Sequence, residues 1–231
     1  MKKFDIILWD LDDTLLDFAK SESHAIKTCF EHFGLSFQEG MIERYSEINL
    51  WHWKKFEKNE LGKMDVLHGR FRTLFEEYGI KGLSPEEFQL LYQEELGGTY
   101  FYNDQSLDLC KKLAKEFDQY IVTNGIIITQ TKKLRLSGFD QIMNGIYISE
   151  LVGYQKPQKE FFEACFEQIK TTDRDKIIII GDSLTSDMKG GNNAGITTCW
   201  YNPKRKKNTE EVRIDYEIDS LGQIENILYF D

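Results

Sequence analysis

The sequence predicts an α/β fold: a doubly wound parallel sheet with a helical segment inserted after its first strand. Three observations predict it. Apolar runs of strand length at residues 4–9, 119–122, 176–180 and 196–201 are rich in β-branched or aromatic residues, and each is stopped by turn formers. Their near-continuous apolar character suits strands buried on both faces, as in a parallel sheet. Helical patterns alternate with them through short links, the signature of a layered α/β domain.

The first run ends at Asp10. The segment 18–98 then carries no convincing strand and many stretches of helical period, so we expect a helical bundle there, within the usual range for a domain. Ala25, Ile26, Cys29, Phe30 and Phe33 fall on one helix face. Ser84 is placed as an N-cap, with Pro85 at the first helical position and Glu87 at the capping-box position. Trp51, Trp53 and Phe56 are expected in the bundle core. His24, His32, His52 and His68 have no metal spacing and are expected to be structural or exposed. Beyond the insert, Leu107, Leu109, Cys110, Leu113 and Ala114 mark a helix after Asn103 and Asp104. The second strand follows and ends at Thr123-Asn124-Gly125. A helix at 158–169 leads into the third strand, which ends at Gly181-Asp182. The fourth ends at Asn202-Pro203, and a short helix is expected at 221–228.

The chain has 231 residues, with 29 basic against 39 acidic side chains and a formal net charge of −10. This balance argues against tracking a nucleic-acid backbone or an anionic membrane surface. No apolar run approaches the ~20 residues of a membrane span. Asp5 and Asp10 interrupt what would be the apolar centre of a signal peptide, so no export is indicated. Cys29, Cys110, Cys165 and Cys199 are scattered without a C-x-x-C pair, which predicts buried free thiols in a reducing cytoplasm. The basic run Lys204-Arg205-Lys206-Lys207 is expected to be a solvated loop.

In open α/β sheets, ligands bind at the C-terminal strand ends. Here those ends deliver Asp10, Asp12 and Asp13, then Thr123 and Asn124, then Asp182, Ser183 and Asp187. Lys156-Pro157 precedes the third strand. If the strands are neighbours, at least three carboxylates converge. Carboxylates about 4 Å apart repel by roughly 4 kcal/mol at an effective dielectric of 20, so a proton or a cation must sit among them. Hard oxygen donors without His or Cys favour Mg²⁺ over zinc. A hydroxyl from Thr123 and an ammonium from Lys156 suit a phosphate. The chemistry suggested is phosphoryl transfer with a carboxylate nucleophile. Asp13 is expected to serve the turn, and Thr14 to hydrogen-bond within the loop.

Asp10-Leu11-Asp12-Asp13-Thr14-Leu15, Val122-Thr123-Asn124-Gly125, Gly153-Tyr154-Gln155-Lys156-Pro157 and Gly181-Asp182-Ser183-Leu184-Thr185-Ser186-Asp187 resemble, in order, the four motifs of the haloacid dehalogenase-like (HAD) hydrolases. The resemblance implies a Rossmann-like catalytic core at 1–17 and 99–231 with a helical cap at 18–98. It implies Asp10 as nucleophile, forming an aspartyl-phosphate, and Asp12 as the acid and then the base. It implies Thr123, Lys156 and the backbone amides of Leu11 and Asn124 as phosphate contacts. Asp10, the Asp12 carbonyl and Asp182 are the implied Mg²⁺ ligands. Asp187 is implied to act through a metal-bound water or by orienting Lys156. Residues 10–18, 181–195 and 198–203 further resemble the bacterial pyrimidine 5′-nucleotidase branch. The implied partner is then a small phosphorylated metabolite, a nucleoside monophosphate, met by a monomer or homodimer whose cap moves on hinges near 17–19 and 97–99. A phosphatase of phosphoglycolate or a sugar phosphate, and a β-phosphoglucomutase-like enzyme, share the same motifs. A non-catalytic phosphate sensor is a third class, and the full set of acids argues against it.

Overall fold

The computed structural model describes residues 1–229. The chain runs β1 (Ile6–Trp9), four consecutive helices α1 (Phe18–His32), α2 (Met41–Glu57), α3 (Lys63–Tyr78) and α4 (Pro85–Gly98), then α5 (Ser106–Leu113) and β2 (Asp118–Thr123). It continues through α6 (Ile127–Ser137), β3 (Gly145–Ile148), α7 (Ser149–Val152), α8 (Lys159–Ile169) and β4 (Ile177–Gly181). A π-helical turn at Leu184–Met188 leads into α9 (Lys189–Ala194), then β5 (Thr197–Tyr201) and β6 (Tyr216–Ile218). All six strands are parallel, in the order β3-β2-β1-β4-β5-β6.

Four of these strands are legible in the sequence as apolar runs; β3 and β6, the two edges, are not. Both are short, and an edge strand pairs on one side only, so neither carries the continuous apolar run that marks the buried centre. The helix expected at 221–228 is a 3₁₀ segment, Leu221–Asn226.

The central strands explain the two-faced packing. Ile7 and Trp9 of β1, with Ile178 and Ile180 of β4, face a cluster that holds Leu109, Cys110 and Leu113 of α5 and Leu134 of α6. Ile6 and Leu8, with Ile177 and Ile179, face Phe161, Phe162, Cys165 and Phe166 of α8. Side chains alternate across a strand, so one apolar run feeds both layers. Each fully buried Ile or Phe contributes about 1.5–3 kcal/mol. The four helices between β1 and α5 have an apolar centre of their own, built from Ala25, Ile26, Phe30, Tyr45, Phe71, Phe88 and Tyr92. Phe33 packs against that cluster as expected. The Ser84 hydroxyl accepts from the Glu87 amide, with Pro85 next to it, which sets the start of α4.

Of the insert aromatics expected in the core, only Phe56 is buried; Trp51 is 54% exposed. All four cysteines are buried and free. Among the described residues, no helix is long and apolar enough to cross a membrane.

The strand order reverses between β1 and β4, which is the topological switch point where α/β sheets bind ligands. The register aligns Trp9 with both Ile121 and Ile180, and the Asp10 amide extends the ladder to the Ile180 carbonyl at 2.9 Å. Asp10 and Asp182 therefore leave neighbouring strands at nearly one height.

Candidate active site

Asp10 stands one residue past β1 and is 7% exposed. Its Oδ1 accepts from Lys156 Nζ at 2.7 Å, and its Oδ2 from the Thr14 hydroxyl at 3.1 Å. Thr14 thus does its hydrogen bonding within the loop, as expected. Asp13 turns the loop at φ 60° and its Oδ1 accepts from the Phe18 amide, while Asp17 caps α1 by accepting from the Lys20 amide. Burial pushes the Asp10 carboxyl up to about 7, the Asp187 and Asp12 charges add to this, and Lys156 works against it.

Asp187 lies in the π-helical turn beyond β4 and is 1% exposed. Its Oδ1 accepts from Lys156 Nζ at 2.7 Å and its Oδ2 from the Ser183 amide at 3.1 Å. The Ser183 hydroxyl caps the turn by accepting from the Ser186 amide. Gly181 is required by this packing: a Cβ there would sit 2.3 Å from Asp187 Cγ. Gly181→Ala is expected to lower stability by about 1–3 kcal/mol through overpacking, read as a drop of several degrees in thermal midpoint. An unshifted melting curve would contradict this close approach.

Lys156 is 1% exposed, and its three N–H donors all have protein partners: Asp10, Asp187 and the Val122 carbonyl at 2.8 Å. Burial opposes its charge, but the two carboxylates outweigh it and hold Lys156 above the usual lysine range. The Asn124 side chain fixes this lysine in place. Its Oδ1 accepts from the Lys156 amide at 2.9 Å and its Nδ2 donates to the Lys156 carbonyl at 2.8 Å, beside a cis Lys156–Pro157 bond. The side chain of Asn124 is therefore a strut for Lys156, which leaves its backbone as the part to face a ligand.

Asp182 is desolvated in the same crevice, and the neighbouring charges of Asp13, Asp10 and Asp187 add to that in holding its carboxyl well above the ordinary range. Asp10, Asp182 and Asp187 can each offer an oxygen, with these atoms all within 4.8 Å of one another. Lys156 pairs with Asp10 and Asp187 of these three acids, so the ionised cluster has a negative surplus. An all-oxygen donor set with this surplus fits Mg²⁺. Asp187, assigned from sequence to a supporting role, joins the cluster directly, whereas the Asp12 carboxylate stands apart from it.

Asp12 is held by two residues of α6 that no sequence motif marks, Gln130 and Lys133. Its Oδ1 accepts from Lys133 Nζ at 2.7 Å, and its Oδ2 from Gln130 Nε2 at 2.6 Å. Gln130 Nε2 also donates to the Thr123 hydroxyl at 2.9 Å, which links Asp12 to Thr123. Lys133 is completely buried. A lysine in a helix is ordinarily solvated, so nothing local separated Lys133 from Lys132, which instead donates to the Glu94 carbonyl. The one available signal was the three-residue spacing from Gln130 to Lys133, which puts both on one face of α6.

The insert roofs these groups. Glu57, at the end of α2, accepts from the Thr185 hydroxyl, and burial pushes its carboxyl up to about 7. A cavity of about 500 Å³ spans the junction. The sheet side supplies Asp10, Asp12, Thr123, Lys156 and Asp182, and the insert supplies Phe18, Glu22, Asn49, Trp53 and Arg70. Trp53 thus lines the cavity rather than the bundle core. The basic run 204–207 is an exposed loop, as expected, and Lys204, Lys206 and Lys207 reach the cavity from it.

Comparison with known proteins agrees with this geometry. The chain is 39% identical over 228 residues to the Bacillus subtilis (strain 168) protein YfnB, a HAD-hydrolase by name, covering 99% of this chain and 97% of that one. A crystal structure of YfnB bound to magnesium, described as revealing interdomain movement, matches with a TM-score of 0.92 at 38% identity, covering 99% of this chain and 100% of the other. The chain is 34% identical to the pyrimidine 5′-nucleotidase PynA of Streptococcus pneumoniae, covering 96% and 93% of the two chains. It is 26% identical to the pyrimidine 5′-nucleotidase YjjG of Escherichia coli, covering 98% of each. With these relatives along its whole length, and a family model matching residues 7–201, the chain belongs to the haloacid dehalogenase-like hydrolases.

Proposed function

We propose that this chain is a Mg²⁺-dependent phosphomonoesterase that works through an aspartyl-phosphate on Asp10, with pyrimidine nucleoside monophosphates as substrates. The observation that carries the reading is the Asp10 carboxylate, oriented by Lys156 and Thr14 inside an acid cluster at the sheet's switch point. The nucleotidase names of PynA and YjjG support the substrate class.

Asp10 attacks phosphorus; a carboxylate O–P bond forms as the ester P–O bond breaks. Asp12 gives its proton to the leaving oxygen. It then takes a proton from water, whose oxygen attacks the acyl phosphate and returns Asp10 as a free carboxylate. Gln130 and Lys133 hold the ionised Asp12 beside Thr123, ready to take the proton from water; the protonated form that serves the leaving oxygen gives up one of these two contacts. Thr123 and the backbone amides of Leu11 and Asn124 hold the phosphate oxygens. Lys156 contributes its charge throughout, and a hydrogen bond once phosphorylation weakens its pairing with Asp10. Asp187 orients Lys156. Asp10 and Asp182, with Asp187 and the Asp12 carbonyl beside them, would hold the Mg²⁺. Bound there, the ion neutralises charge on the phosphate and on the acids that face it. Residues 18–98 serve as a cap over a core at 1–17 and 99–231. Closing such a cap excludes bulk water and sizes the site for a small metabolite.

The test is phosphate release from a panel of nucleoside monophosphates, ribose 5-phosphate, phosphoglycolate and hexose phosphates. Release from pyrimidine nucleotides is expected with Mg²⁺ and loss of at least about 10²-fold with chelator, while added Mg²⁺ raises the melting temperature. Interconversion of hexose phosphates without phosphate release would overturn the reading, as would full activity in chelator.

A further inference from the structure

The insert carries a buried charged network that lines the same cavity as Asp10 and takes no part in the proposed steps. Glu22 of α1 is 2% exposed and Arg70 of α3 is 1% exposed. Among the described residues they form no ion pair. Asn49 of α2 stands between them instead: its Nδ2 donates to Glu22 Oε1 at 2.7 Å, and its Oδ1 accepts from Arg70 Nη1 at 2.7 Å. Ser46 donates to Glu22 Oε2, and Arg70 Nη2 donates to Gln89 Oε1 at 2.9 Å. Arg70 packs over the Phe71 and Tyr92 rings at 5.1 and 4.9 Å, which fixes its plane.

If stability alone had shaped this cluster, a guanidinium and a carboxylate so near each other would be expected to close into a bidentate pair. Burying two ions with a neutral amide between them is a poor route to stability. The arrangement also leaves hydrogen-bonding capacity open. An ionised carboxylate accepts at about four lone-pair positions, and Glu22 uses two. Arg70 Nε finds no partner among the described residues. Ser46, Glu22, Asn49 and Arg70 all line the cavity that holds Asp10 and Lys156. Phe18, Leu50, Trp53 and Leu96 line it as well, giving apolar walls suited to a flat ring. Its volume of about 500 Å³ lies within the usual range for small-ligand sites. Burial pushes Glu22 up to about 7, and Ser46, Arg70 and Asn49 work against this.

We propose that Glu22, backed by Asn49 and Arg70, is the subsite that reads the base: the carboxylate accepts from a ring N–H and the guanidinium side offers a donor to the adjacent ring carbonyl. This rests on the nucleotidase reading and names the residues through which the same site would choose, among pyrimidines, a base of the uracil type. The edge of uracil carries such an N–H, at N3, flanked by carbonyls. A site built to satisfy an N–H discriminates strongly against a ligand that lacks it, because its own acceptor is then left buried and unpaired.

The test compares kcat/KM for uridine 5′-monophosphate, its 3-methyluridine analogue and ribose 5-phosphate, first on the unmodified enzyme. Uridine monophosphate is expected to exceed both other compounds by about 10²-fold or more. In Glu22→Ala, which removes the acceptor and opens room for the methyl group, the ratio over the methylated analogue is expected to collapse towards one and the ratio over ribose 5-phosphate to fall by about 10-fold or more. Should the unmodified enzyme favour uridine monophosphate over ribose 5-phosphate yet treat the methylated analogue equally well, the subsite proposal falls and the nucleotidase reading stands. Should it show no preference over ribose 5-phosphate, both fall. Retention of both ratios in Glu22→Ala would make Glu22 structural and overturn the proposal; if that variant does not fold, the methylated analogue on the unmodified enzyme decides.

Discussion

Asp10→Asn is expected to lower phosphate release by about 10⁴–10⁶-fold while leaving the fold intact. The carboxamide matches the carboxylate in shape, so its oxygen can still accept from Lys156, and the apolar strand behind it is undisturbed. What is lost is the carboxylate proposed above as the nucleophile. The substitution also removes a charge from a group of three acids lying within 4.8 Å of one another, where like charges repel. The thermal midpoint without metal is therefore expected to hold or to rise, and the rise on adding Mg²⁺ is expected to shrink. Phosphate release and melting curves with and without Mg²⁺ check both halves. A variant that keeps its activity would remove Asp10 from the chemistry altogether.

Lys156→Met is expected to be the most damaging single change to stability in the site, at about 3–5 kcal/mol. It preserves most of the side-chain volume and deletes the charge with its three N–H donors. The loss strands Asp10 and Asp187, each of which accepts from the ammonium at 2.7 Å, and leaves the Val122 carbonyl without its donor. Chemical denaturation measures this, with Lys159→Met as the control. Lys159 is mostly exposed, and its contact with Glu163 is a surface pair worth little, so its change is expected to stay within about 0.5 kcal/mol. Adding Asp187→Asn to Lys156→Met is expected to restore part of the loss, since it removes one stranded charge. A Lys156→Met protein as stable as the parent would show that this lysine is not the cation compensating the cluster.

The parts of the fold that were legible in the sequence are those where burial is complete. The run Ile177-Ile178-Ile179-Ile180 reads as a two-faced central strand because every one of its side chains is buried in one layer or the other. The edge strands β3 and β6 did not read, because pairing on one side leaves weaker hydrophobic patterning. The acids at the strand ends were legible for a related reason. Charged residues that terminate apolar runs are conspicuous, and parallel topology carries Asp10 and Asp182 to one edge. Trp53 shows the limit: a helical aromatic looks the same in sequence whether it faces a bundle core or a cavity.

By itself the sequence determined the α/β class, the place of the helical insert and the acids, hydroxyl and lysine at the sheet edge, because periodicity and strand-end chemistry are local. Only the tertiary structure decided that Lys133 and Gln130 hold Asp12, that Asn124 braces Lys156, and that Glu22, Asn49 and Arg70 meet across three helices. Those contacts join residues far apart in the chain, and their side chains taken singly look like ordinary polar surface. Packing is what removes them from water and gives each a partner.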